Sequence, residues 1–337
     1  MSSAVRPLPC VRMAWPVAMA LLLVLAPMAF SAIGQPFYLR VLTRILIFAL
    51  AASSLNLVLG FGGLISLGHA AFVGVGSYVV GILAWHEVND VPLLTWPFII
   101  DGSSDPLIVW PLAILAAAAL AAMVGAVSLR TSGLYFIMIT LAFAQMVYFF
   151  AISLDQYGGD DGMRLREAPH LGMLDLQNRT NFYYLVLALF ALALVLLSRL
   201  MSSRFGQVIS GARQNAARIR ALGIEPFFYR LACFVISGAI AGLAGVLMAN
   251  LDMFVSPSDL SITRSNELVA MVLLGGVGSL WGASFGAAFY IIAELALGSF
   301  TTHWPLLFGP ALIAVVLFAP RGIAGVLLPV SRSGDKP

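Results

Sequence analysis

Residues 199–227 read RLMSSRFGQVISGARQNAARIRALGIEPF and interrupt a chain that is otherwise strongly apolar. They hold Arg199, Arg204, Arg213, Arg218 and Arg220, five of the 18 basic residues, against one acid, Glu225. Phe205, Val208, Ile209, Ala212, Ala216, Ile219 and Leu222 fall three or four residues apart, so one helical face is apolar or small. Gly223 follows the last periodic residue and Pro226 lies three further on, a helix stop. So many arginines forbid a membrane crossing here, yet apolar runs flank the stretch at 182–198 and 229–249. The reading is a short amphipathic helix at one membrane face, and the arginine excess makes that face cytoplasmic. Such a helix either anchors the fold in the headgroups or docks a cytoplasmic partner.

The rest of the chain fits a membrane setting. It is 61% hydrophobic and 10% charged, with a mean hydropathy of +0.98, outside the range of soluble domains. At roughly 20 residues per crossing plus loops, about eight to ten crossings are expected. The expected fold class is therefore an all-α polytopic membrane protein, a single transmembrane domain over 1–337 with a basic tail at 321–337. The one lysine is Lys336. A Walker-type phosphate loop needs Gly-Lys-Ser/Thr after a glycine-rich turn, so this chain does not bind ATP that way. The sequence offers no paired carboxylates, metal-spaced His/Cys set or nucleophile elbow, which argues against an enzyme. Neither a metal nor a cofactor is expected on it. Cys10 and Cys233 form no disulfide framework. The net charge of +3 comes from loop arginines and makes no nucleic-acid surface.

Taken in order, residues 1–13 carry Arg6 and Arg12, and 14–33 form an apolar run. That run is long for a cleaved signal and lacks a small-x-small site before Gln35, so an uncleaved first helix is expected. Further spans are expected at 37–60, 107–127, 133–153 and 304–319. Arg40 and Arg44, near the start of the 37–60 span, are expected to snorkel. Residues 86–106 hold Glu87, Asp90, Asp101 and Asp105 and no Lys or Arg, which suits the outer side. Arg130 lies in a tight turn expected inside. The polar segment 154–181 contains GGDDG at 158–162, with Arg164, Arg166, Glu167 and Arg179. Its glycines read as a turn, because the alternating ligands of a calcium loop are missing. Placed outside, its arginines oppose the positive-inside rule. Residues 250–266 are also expected outside.

Two stretches are rich in glycine. Residues 55–85 read LNLVLGFGGLISLGHAAFVGVGSYVVGILAW, and 267–295 read ELVAMVLLGGVGSLWGASFGAAFYIIAEL. Gly62-Gly63-x-x-Ser66-Leu67 recurs as Gly275-Gly276-x-x-Ser279-Leu280. A helix broken at membrane depth must face protein or water, and matched breaks in two halves point to a translocation site. On that argument Gly62, Gly63, Ser66, His69, Gly275, Gly276 and Ser279 line the substrate pathway. The alternatives are a chance likeness between glycine-rich helices, and a structural His69 bonded to a backbone carbonyl. Gly238 and Gly242 form a G-x-x-x-G pair that suits close helix packing.

SLGHAAF at 66–72, SGLYFIMITLAFAQM at 132–146, GGDDG, RALGI at 220–224 and VLLGGVGSLWGASFGA at 272–287 resemble, in that order, the permease subunits of branched-chain amino acid ABC importers. The likeness is to the LivM-type subunit. It implies a multi-pass place in the bacterial inner membrane, surrounded by lipid, and import of leucine, isoleucine or valine. Related permeases carry urea, short amides or small carboxylates. The resemblance further implies a sister LivH-type permease, cytoplasmic ATP-binding subunits and an extracytoplasmic solute-binding protein, with no nucleic acid. Residues 204–224 resemble the coupling helix of such importers, which gives Arg213, Ala216, Ala217, Arg218, Arg220 and Gly223 an ATPase-coupling role. One departure is Asn215-Ala216-Ala217 where the general motif has Glu-Ala-Ala. An ion-coupled secondary transporter is the competing class. It would need intramembrane carboxylates, whereas Glu267 and Glu294 fall near expected helix ends.

Overall fold

The computed structural model describes residues 22–27, 36–92, 102–165, 170–171, 174–175, 178–300 and 303–318, with Gly322 and Gly325. Of the first helix expected over 14–33, only the helical residues 22–27 are described. Arg6, Cys10, Arg12, Asp101, Arg166, Glu167 and, those two glycines apart, the tail 321–337 lie outside the described residues.

Helix α1 (Pro36–Asn56) is prolonged by a π-helical turn, Leu57–Phe61. There follow α2 (His69–Val88), α3 (Pro106–Ser128), α4 (Leu134–Ile152) and α5 (Arg179–Ser202). Next come α6 (Arg204–Gln214), α7 (Ala216–Ala221) and α8 (Pro226–Asp252). Last are α9 (Ile262–Gly275), α10 (Gly282–Gly298) and α11 (Trp304–Phe318). Pro106 and Pro226 open their helices, where a missing N–H costs nothing. By length and composition, six of these (α1 with its π-turn, α2 to α5, and α8) can cross a membrane. The expected eight to ten crossings thus become six full-length helices and three shorter ones, α9 to α11, among the described residues.

These helices form an inner and an outer set. Between 61% and 78% of each span of α1, α2 and α8 is buried, against 22% to 33% for α3, α4 and α5. The outer three therefore turn most of their apolar surface away from the protein. Arg40 meets Asp252 at 2.8 Å, while Ser237 bonds to the Ser54 carbonyl and Cys233 lies against Leu57. Helices α1 and α8 are thus antiparallel. The Arg40 pair is exposed and worth about 0–1 kcal/mol. Ala117 and Ala121 of α3 pack on Gly242 and Gly238, the expected G-x-x-x-G pair. On the other side, Gly76 of α2 rests on the Gly242 carbonyl so closely that no Cβ fits. Lipid is as apolar as leucine, so such close backbone approach is what holds these helices together.

The two glycine-rich stretches break as expected, and Gly63 (φ +69) and Gly276 (φ +110) take left-handed backbone. After the first break the chain runs as non-helical backbone through 64–68 and starts α2 at His69, level with Ser237 near the middle of α8. After the second it turns at once into a hairpin. Gly275 packs on Gly282, and Met271 on Gly286.

The expected outer loop at 250–266 needs correction. Helix α8 continues to Asp252, and the chain then folds back into the bundle through a 3-10 turn, Pro257–Leu260. Leu260 is buried against Gly74 of α2, and the Ser265 hydroxyl accepts from Ala70 N at 3.2 Å. Helix α9 has 14 residues, about 21 Å, short of a hydrocarbon core of about 30 Å. Residues 155–162 form the expected turns, with Gly158 at φ +89, and Tyr157 bonds to His86 of α2 at 2.8 Å. Arg164 therefore lies at the end of the bundle away from α6 and α7.

Candidate functional site

The stretch 199–227 folds as two helices, where one was expected. Asn215 leaves the helix (φ −156, ψ 99) and its side chain accepts from Arg218 N at 3.0 Å, an N-cap for α7. The residue that replaces an acid in the general motif is thus a capping residue here. Gly223, at φ +82, closes α7. Its N–H reaches Arg220 O at 2.8 Å and Ile224 N–H reaches Ile219 O at 3.3 Å, the bonding of a Schellman end. Gly206, Ile209 and Ala212 bury one face of α6, whereas α7 has no buried residue. Leu222, expected on the apolar face, is 70% exposed, because the turn at Asn215 takes α7 off the face of α6. Ala217, Arg218 and Arg220 are also exposed, and Ala216 is half-buried.

Arg213 joins this surface to the glycine breaks. Its guanidinium donates to the Gly60 carbonyl, at the end of the π-turn. Its aliphatic stem covers Gly63, where a Cβ would stand 2.7 Å from Arg213 Cγ. Arg230 of α8 donates to Ala212 O at 2.8 Å and so fixes the end of α6. Asn56, buried at the end of α1, then reaches the second break. Its Nδ2 donates to Ser279 O at 2.8 Å and its Oδ1 accepts from Gly278 N at 2.9 Å. Asn56 went unnoticed in the sequence. The available signal was an amide in an apolar run, which burial obliges to find partners.

Gly62, Gly63, Gly276, Ser279 and Arg213 are therefore gathered at one place, with Gly275 just inside the hairpin. The two serines also act alike locally: Ser66 Oγ accepts from Gly68 N at 3.4 Å and Ser279 Oγ from Gly282 N at 3.2 Å. Ser66 and His69 are fully buried away from that place. His69 Nε2 lies 2.9 Å from Ser237 Oγ, and its ring meets Phe72 and Phe234 edge-on. Ser237 gives its one proton to Ser54 O, so Nε2 must be the donor. In this chain the His69 ring ties α2 to α8.

A second polar cluster was missed. Arg264 bonds Glu267 at 2.8 Å and Asp259 at 3.2 Å, and its guanidinium lies 5.3 Å from the centre of the Phe48 ring. Arg44 approaches the same ring at 5.7 Å, and its Nε is buried without a hydrogen-bond partner. On α1, Arg44 and Phe48 stand between Arg40, level with Asp252, and Ser54, level with Ser237. The cluster thus lies within the length of α8, in the half of the bundle away from α6. Asp259 and Glu267 are thus paired with Arg264 inside the bundle, Glu267 in the first half of α9. A cavity of about 10 Å³, room for one water, adjoins the cluster.

This geometry describes a multi-pass helical protein whose arginine-rich surface helices are bonded to breaks inside the bundle. Residues 37–319 match the branched-chain amino acid transport system permease component family, and the chain belongs to that family, as a permease of the LivM type. High-affinity branched-chain amino acid transport system permease proteins LivM of Salmonella typhimurium and Escherichia coli are each 28% identical over 314 residues, 86% of this chain and 69% of the relative. The LivH permease of Escherichia coli is 29% identical over 125 residues, 36% of this chain and 40% of the relative. No solved structure matches the chain.

Proposed function

We propose that this permease forms one half of the membrane pathway of an ATP-driven importer of leucine, isoleucine and valine. Its partners are a sister LivH-type permease, cytoplasmic ATP-binding subunits that hydrolyse the nucleotide, and an extracytoplasmic solute-binding protein. The chain itself carries no cofactor. The end of the bundle bearing α6 and α7 faces the cytoplasm, in keeping with its arginines. The observation that carries this reading is α7: a helix with no buried side chain, capped at both ends and linked through α6 and Arg213 to the breaks. A displacement crosses a subunit boundary only through a packed, rigid contact, and α7 with α6 offers one. Gly63, Gly276 and Ser279 are then the joint that such a displacement moves, at the cytoplasmic mouth of the pathway.

Arg218 is exposed and its side chain is free of the Gly60 contact that engages Arg213, so Arg218→Cys is the probe of choice. In membranes holding the assembled complex it is expected to crosslink to an ATP-binding subunit. Labelling of that cysteine from outside intact cells by an impermeant reagent would overturn both the orientation and the docking.

A further inference from the structure

The cluster around Arg264 takes no part in joining α6 to the breaks. Removing ions from water is costly, so charges at this depth are kept where partners and function demand them. Three features converge there. Both acids on Arg264 come from different elements, Glu267 from α9 and Asp259 from the 3-10 turn before it, and Asp259 and Arg264 side chains are only 14% and 20% exposed. Arg44 stands on the same Phe48 ring with a buried, unpartnered Nε. The water-sized cavity is lined by Asp259 and Arg264 together with Ile47, Val73, Met248 and Leu268, and the surface they turn to it is apolar.

We propose that this cluster binds the zwitterion of an α-amino acid in transit, an inference that rests on the transport reading above. The present arrangement is the closed one, with the protein's own carboxylates in the substrate's place. On binding, the substrate carboxylate replaces Asp259 on the Arg264 guanidinium, and Asp259 takes the substrate ammonium. Arg44 supplies a further donor to the carboxylate. The aliphatic side chain enters the apolar cavity, which widens to take it. The exchange conserves pairing: one carboxylate leaves Arg264, another arrives, and the displaced acid gains a cation. An acid lacking the ammonium would strand Asp259, and an amine lacking the carboxylate would leave nothing to displace it. Buried groups left unpaired in this way are what make a polar site selective. Asp259 is the member that exchanges, because its contact with Arg264 is the longer, 3.2 Å against 2.8 Å for Glu267.

The test uses the full complex in lipid vesicles, with Leu268→Cys at the cavity wall and the unmodified chain as the thiol background. Modification of that cysteine by a small thiosulfonate is expected to slow about tenfold under saturating leucine, and to be unchanged by isocaproate or isoamylamine. Glu267→Gln is expected to cut leucine uptake about tenfold, with Glu267→Asp restoring most of it. Leucine uptake by the unmodified complex without protection at position 268 overturns the site and leaves the transport reading standing. Equal protection by isocaproate overturns the zwitterion exchange. No uptake of any branched-chain amino acid by the unmodified complex overturns the transport reading and this inference with it.

Discussion

The two glycine breaks share a sequence pattern and a left-handed second glycine, yet they do different things. The first opens into the non-helical stretch 64–68 and delivers α2 from inside the bundle. The second closes at once into the α9–α10 hairpin, backbone on backbone at Gly275 and Gly282. The pattern thus fixes where a helix ends and leaves open where the next one begins. The residues just past each break decide that: a fully buried Ser66 and His69 in one case, and a run of small residues, Gly282, Ala283, Gly286 and Ala287, in the other. The difference also assigns roles. The first break is gripped from the surface by Arg213, and the second is gripped from within by Asn56.

The largest expected effect separates the breaks directly. A Cβ at Gly275 falls on the Gly282 carbonyl, which belongs to rigid backbone, so Gly275→Leu should cost about 3 kcal/mol or more and abolish recovery of assembled complex. At Gly63 the obstacle is the flexible stem of Arg213, and the left-handed backbone adds about 1–2 kcal/mol. Gly63→Leu should therefore assemble and lose uptake. Size-exclusion recovery and vesicle uptake, measured side by side, check this. Equal recovery of the two variants would show that the breaks are mechanically alike.

Next in size is the link between them. Asn56→Leu leaves Gly278 N–H and Ser279 C=O without their amide partner. These groups are part-buried, so about 2–3 kcal/mol in all is expected, at the low end for two unsatisfied backbone groups. A lower melting midpoint in detergent, together with ATP hydrolysis that no longer drives uptake, would sharpen the view that Asn56 carries motion from one break to the other. A variant that melts lower but couples normally would reduce Asn56 to a brace.

Much of this was readable from the chain. The bounds of α3, α4 and α8 lie within a few residues of the expected spans, because apolar runs closed by proline, glycine or polar turns leave little choice in a membrane. The surface helices were legible for the same reason, although Asn215 divides them. The Arg264 cluster was not. Asp259 and Arg264 read as an outer loop and Glu267 as the end of the next apolar segment, since polarity along the chain cannot reveal that a segment folds back between α1 and α2. The i, i+3 spacing of Arg264 and Glu267, ahead of an apolar run too short to cross, was the available clue. Arg213 was expected to face a partner subunit. Its contact with Gly60 joins residues 153 positions apart in sequence, which no local pattern encodes.

The smallest expected effect concerns the paired serines, and it sets the two breaks apart most finely. Ser66 is fully buried, and its hydroxyl accepts from Gly68 N at 3.4 Å, longer than a normal N–H···O bond. Ser66→Ala gives up that weak bond and leaves the Gly68 N–H poorly satisfied, so a loss of about 1 kcal/mol is expected, with uptake per assembled complex unchanged. Ser279 is half-buried at the proposed mouth, and the Gly282 N–H it serves also reaches the Ser279 carbonyl at 3.1 Å. Ser279→Ala should therefore cost about 0.5 kcal/mol or less, because that N–H keeps a partner. If the pathway passes this mouth, its effect falls on uptake instead. Melting midpoints and uptake rates of the two alanine variants read these outcomes separately. The reverse result, with uptake lost at Ser66 and only stability touched at Ser279, would move the pathway to the first break and leave the second as a turn.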